Sequence, residues 1–204
     1  MKTKKRMLLL FAGISCTFFS CYVNDPDYVD EYDLVMTNYD NTVTFKGNKN
    51  YAIPNKVVEI TGNFSVGQPV VYLEEPYAST IISRIKSNMT ALGYTEVTDT
   101  TDADFLIFPS ELETTNVTYY YDYWYWYYPG YYGWYYPYSY AYSYTTGSVI
   151  MTMIMRDQTS PGGKLHVAWT GVVNGVLDGY SSNAITRLNT TIDQAFAQSQ
   201  YLKQ

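Results

Sequence analysis

Two runs of strand-forming residues lie close together in the last third of the chain: SVIMTMIM (Ser148–Met155) and KLHVAWTGVV (Lys164–Val173). Both are rich in β-branched and large apolar side chains, which suit a pleated, buried surface. The linking residues RDQTSPGG end in Pro161, Gly162 and Gly163, a composition that turns a chain back on itself. The pattern predicts an antiparallel hairpin. A hairpin is not stable alone in water; it needs further strands and a cover over its apolar face. An all-helical fold is thereby excluded.

The rest of the chain supplies both needs. DLVMTNYDNTVTFKGNKNYAIP (Asp33–Pro54) reads as strand, turn, strand. KVVEI (Lys56–Ile60) and PVVYL (Pro69–Leu73) are short β-branched runs, and ADFLIFP (Ala103–Pro109) is a stronger one. Pro76 opens a helical pattern with Ala78, Ile81, Ile82, Ile85, Met89 and Leu92 on one stripe, stopped by Gly93. A second begins at Ser181, Ser182 or Asn183 and places Ile185, Leu188, Ile192, Ala195 and Phe196 on one face. A helix with a single apolar stripe must lie on something. The expected fold class is α+β: a mostly antiparallel sheet, two helices packed on one face, and a long Tyr/Trp-rich hairpin or loop.

That aromatic insertion occupies residues 117–146. Its centre, Tyr119–Tyr144, holds fifteen Tyr and three Trp in 26 residues, with Asp122 as its one acid and no Lys or Arg. From Tyr136 to Tyr144 every second residue is Tyr, so those five rings fall on one side of a strand. Pro129-Gly130 can turn the chain. One hairpin has too little core for 18 rings, so some are expected on the surface, where large apolar patches mark contact sites. Tyr and Trp join a flat apolar face to a polar tip, which suits a protein partner or a sugar ring. The candidate contact surface is Tyr123, Trp124, Tyr125, Trp126, Tyr131, Trp134 and Tyr135.

The N-terminus speaks to location. Lys2, Lys4, Lys5 and Arg6 precede an apolar run, Met7–Phe19, of 13 residues. A membrane-spanning helix needs about 20, whereas this length suits a secretory signal. Ser20 then precedes Cys21. The order resembles a bacterial lipoprotein signal covering residues 1–20, with Cys21 lipidated by palmitate-type chains; Cys16 is a weaker rival. The residue after Cys21 is Tyr22 rather than Asp, which by resemblance to Gram-negative sorting rules favours the outer membrane, on its periplasmic face or at the cell surface. Residues 21–33 follow as an acidic tether carrying Asp25, Asp27, Asp30, Glu31 and Asp33, and residues 34–204 form a single domain.

Composition narrows the chemistry. Without the leader, nine basic residues face 19 acidic ones, a net charge of −10, so nucleic acid is not expected as a partner. His166 is the single histidine and sits in a strand-like run, where it reads as structural. Glu74-Glu75, Asp102 with Asp104, and Glu111 with Glu113 read as solvated edges. Met151, Met153 and Met155 share a strand face, which fits core packing better than a soft-metal site. No catalytic residue, metal or cofactor is assigned, and an enzyme is not expected.

YDNTVTFKGNKNYAIP, DADFLIFPS, the aromatic segment and AWTGVVNGVL occur in that order before a terminal helix. In this the chain resembles the bacterial lipoproteins grouped as domain of unknown function 4136, over roughly Asp33 to Leu202. Trp169-Thr170-Gly171 matches that family's Trp-x-Gly, and Ala103-Asp104 its Ala-Asp before a buried strand. The resemblance implies an α+β envelope domain and brings no catalytic residue. It leaves two readings: a non-catalytic envelope lipoprotein with an aromatic surface for an envelope protein, or a carbohydrate-binding module for peptidoglycan or surface glycan. Asp99-Thr100-Thr101 also resembles a bacterial O-glycosylation signal, making Thr100 a candidate acceptor.

Overall fold

The computed structural model describes residues 34–47, 49–61, 69–113, 134–135, 146–160, 163–177 and 182–204. The expected signal (1–20), the expected tether (21–33) and most of the aromatic segment lie outside these residues.

The predicted hairpin is the spine of the fold. Its strands are β7 (Ser148–Ser160) and β8 (Lys164–Asn174), with Gly163 taking a φ of 75° at the turn. Six further strands surround it: β1 (Leu34–Tyr39), β2 (Asn50–Ala52), β3 (Val58–Ile60), β4 (Thr95–Glu96), β5 (Phe105–Leu112) and β6 (Trp134–Tyr135). The sheet runs β1-β8-β7-β5-β2-β4, with β3 also on β5 and β6 also on β8. The long ladders β1–β8, β8–β7 and β7–β5 are antiparallel. The short pairings of β2, β3, β4 and β6 are parallel. The sheet is therefore mixed but mostly antiparallel, and the fold is α+β as expected.

Helix α1 (Tyr77–Ala91) starts behind Pro76 and buries Ala78, Ile81, Ile82, Ile85 and Met89. Each fully buried Ile or Met contributes about 1.5–3 kcal/mol, which is what keeps the helix on the sheet. Gly93 ends it at φ 96°. Its N–H bonds the Thr90 carbonyl and the Tyr94 N–H that of Met89, the paired bonds of a Schellman cap. Helix α2 (Ala184–Gln198) buries Leu188, Ile192, Ala195 and Phe196. It also buries Arg187, whose Nη2 reaches the Gly175 carbonyl at 3.3 Å. Arg84 of α1 pairs with Asp193 of α2, and Asn88 Nδ2 donates to Asp193 Oδ1 at 2.8 Å.

Both helices share one core with Phe105, Ile107, Val149, Met151, Met153, Trp169 and Val173. Alternation along the strands then puts Phe108, Leu112, Ile150, Ile154 and Val172 on the other face. These are 0–3% exposed, although among the described residues no helix lies on that side. Met151 and Met153 are thus core residues under the helices, as their packing role predicts.

Two local expectations needed correction. PVVYL makes only an isolated bridge, Tyr72 to Val58, and Val71 is exposed; its one neighbour, β3, is three residues long and supports no longer ladder. Glu111 is not at a solvated edge but 2% exposed, because β3 lies directly beside it on β5.

Candidate functional site

Three places in the described residues carry polar chemistry. The first is a cleft of about 280 Å³ on one flank of β5. It arises from a gap in pairing. β2 accompanies β5 as far as Leu106 and β3 joins only at Ser110, so the chain between them loops out at residues 53–57. Pro109 falls in this gap, where a residue with no N–H breaks no ladder bond to β2 or β3. Asn55, Thr98 and Thr100 give the cleft neutral polar groups, and Ile53, Leu106 and Phe108 line its apolar part. No titratable side chain is among its lining residues, so the cleft can hold a neutral ligand but has no acid or base to offer one.

The second is the pair Asp40–His166. Asp40 closes the turn after β1: its Oδ1 accepts from Thr42 N at 2.8 Å and Thr42 Oγ1 at 2.7 Å. Its Oδ2 lies 2.5 Å from His166 Nε2. Asp40 is 3% exposed. Burial alone would raise its pKa, but the hydrogen bonds from Thr42, with those from His166, outweigh it and hold the carboxyl below its ordinary value. An ionised carboxylate only accepts, so Nε2 carries the proton. The pair ties the end of β1 to β8, in keeping with the structural role expected for His166.

The third is an acidic group where β3 meets β5. Glu59 stands opposite Glu111 in register, and Glu113 follows on the same side. Burial, then the charges of Glu59 and Glu113, push Glu111 up to about 8. Neither sequence spacing nor composition signals this, because the contact depends on which strand pairs with β5. Of the other paired acids, Glu74, Glu75 and Asp102 are exposed as expected. Asp104 is partly buried, and its Oδ2 accepts from Asn50 N at 2.8 Å.

Of the sequence-predicted site residues, Cys21, Tyr123, Trp124, Tyr125, Trp126 and Tyr131 lie outside the described residues. Trp134 and Tyr135 form β6, running parallel to β8 opposite Leu165 and His166. Thr100 is exposed and begins a one-turn 3-10 helix, Thr100–Asp102. There the Asp99 side chain accepts from Thr101 N at 2.8 Å and Thr101 Oγ1 at 2.7 Å. No group of three or more His, Cys, Asp or Glu side chains among the described residues is placed to hold a metal ion.

A mostly antiparallel mixed sheet with two helices on one face and a buried Trp-x-Gly strand defines an α+β domain of the class anticipated from the sequence. The profile of domain of unknown function 4136 matches residues 35–199, and the chain belongs to that family. Among solved structures it is similar to a DUF4136 family protein from Bacteroides thetaiotaomicron VPI-5482, determined at 1.60 Å. The two share 34% identity over 84% of this chain and 97% of the other, with a TM-score of 0.65. No curated protein matches the chain.

Proposed function

We propose that the protein is a non-catalytic lipoprotein of the bacterial cell envelope, anchored in the outer membrane through Cys21, whose Tyr/Trp-rich segment contacts an envelope partner. The observation that carries this reading is the segment itself. Eighteen large rings in 26 residues, with no Lys or Arg among them, are inserted between β5 and β7. One hairpin's core is too small for that many rings, and amphipathic rings left at a surface favour association. The basic, apolar, Ser-Cys order of the N-terminus supports the anchor, and lipidation by more than one chain holds a protein stably at a membrane.

The test compares two assays. Whole-cell cross-linking is run on the wild type and on a variant with Tyr123, Trp124, Tyr125, Trp126 and Tyr131 replaced by Ser. Purified protein is separately mixed with isolated sacculi. A specific protein adduct that disappears in the variant, with unchanged far-ultraviolet dichroism, supports the partner reading. Binding to sacculi without an adduct transfers support to a glycan-binding module. Neither signal removes the contact role.

A further inference from the structure

We propose that Glu111 is a proton-held latch that keeps β3 against β5 and releases it when the carboxyl ionises. Glu111 is 2% exposed, and among the described residues its Oε2 has no hydrogen-bond partner. By alternation from Phe105 and Ile107 it faces the helix side of the sheet. The residue opposite it in β7 is Val149, which offers no polar group.

Among the described residues, the charges that act on Glu111 are carboxylates. β3 contributes Glu59, directly opposite in register, and the end of β5 contributes Glu113. Glu74, on the segment leading to α1, acts on Glu59 in turn. A buried carboxylate with neither a cation nor a hydrogen-bond donor is strongly unfavourable, whereas the neutral acid is tolerated. At neutral pH the proton on Glu111 therefore lets β3 and β5 lie together. Burial and the neighbouring acids raise its pKa to about 8, so the proton leaves within a moderately alkaline range.

β3 is the element that would yield. It is three residues long and meets β5 through Val58–Ser110, Glu59–Glu111 and Ile60–Leu112. On its other side the Glu59 N–H bonds the Val71 carbonyl, and the Leu73 N–H bonds that of Val57. Ionising Glu111 places a third negative charge between Glu59 and Glu113. Moving β3 away relieves that repulsion and admits water to the carboxylate. Release also bares the flank of β5 from Ser110 to Leu112, an edge able to take another strand.

The test is amide hydrogen exchange of the full chain between pH 4 and 10. Exchange in a peptide covering Val57–Ile60 is read against one from β8 around Val172, so that base catalysis of exchange cancels. We expect β3 protection to be full near pH 4.5, the ordinary value for a released carboxyl, to fall about tenfold per pH unit as pH rises towards 8, the slope for loss of one proton on opening, and to level off above it. Glu111→Gln should hold it flat, and Glu59→Gln, which removes one of the charges that keep the proton on Glu111, should shift the levelling-off to lower pH and shrink the total fall. If Glu111→Gln does not fold, the Glu59→Gln shift decides. A wild-type ratio that stays flat to pH 10, an unchanged fall in Glu111→Gln, or no shift in Glu59→Gln overturns the latch.

Discussion

The indole ring of Trp169 lies against the α-carbon of Gly171, two residues along the same strand. A Cβ at position 171 would come within 2.6 Å of Trp169 Cη2, 2.8 Å of its Cζ2 and 3.0 Å of Met151 Cε. The ring is fully buried, and its Nε1 donates to Ser199 Oγ at 2.9 Å. Ser199 Oγ in turn donates to the Ala195 carbonyl at 2.8 Å. Trp-x-Gly is thus one packing unit that locks β8 to the end of α2.

Gly171→Ala is expected to destabilise the fold by about 1–3 kcal/mol through overpacking. Trp169→Phe should recover part of that loss in the double variant, because residues in contact are not additive. Denaturant unfolding of the two single variants and the double measures the coupling. Full additivity would mean that the ring does not set the need for glycine.

Asp40→Asn tests the tie between β1 and β8. Asp40's pKa is lowered in the folded protein from 3.8. Its contribution to stability is therefore present above pH 3.8 and is lost as pH falls through the lower folded value. Melting temperatures of wild type and variant should differ at pH 6 and converge at the acid end. Parallel curves down to pH 2 would show that the carboxylate is not the linked group.

Replacing Tyr119–Tyr144 with a short Gly/Ser linker is expected to lower the melting temperature and broaden the transition. Ile150, Ile154 and Val172 are buried on the face away from the helices. The replaced stretch leaves the sheet after β5, returns before β7 and contributes β6 beside β8. Loop closure itself changes by only about 0.6 kcal/mol per doubling of length, so a large loss would reflect packing. A sharp transition at the original temperature would make the rings dispensable to the fold.

Cys21→Ala should abolish fatty-acid attachment. Cells fed an alkyne fatty acid should label the wild type and leave the variant unlabelled in the soluble fraction. A labelled, membrane-retained variant rules Cys21 out as the acceptor.

Thr100 is a candidate O-glycan acceptor, with an ordinary unmodified turn as the competing reading. It is exposed at the start of a short turn whose geometry Asp99 fixes through Thr101. Mass spectrometry of the peptide containing Thr100 decides it, since an unmodified mass excludes the site.

What could be read from the residues was the part governed by local period. The stripe of Ile81, Ile85 and Met89 announces α1, Gly93 announces its end, and the turn at Gly163 announces the β7–β8 hairpin. Partner choice is different. β3 is flanked by β5 through a parallel pairing of three residues, too short to leave a pattern of its own, so the burial of Glu111 could not be foreseen. Asp40 and His166 are 126 residues apart; each looks ordinary until β1 is laid on β8. The cleft beside β5 exists only because the consecutive strands β2 and β3 leave β5 uncovered between Leu106 and Ser110.

The first strand of the sheet pairs with the last. Among the described residues β1 at Leu34–Tyr39 finds its neighbour only in β8, from Trp169 to Asn174. Such pairing between distant parts of a chain is slow to form, since its closure entropy is spent before any contact is gained. A polypeptide delivered amino end first, whether by a ribosome or through a translocation pore, cannot close this sheet until Asn174 has emerged. The first strand must wait with an unpaired edge through most of synthesis or export. The topology thus leaves the docking of β1 to the last third of the chain.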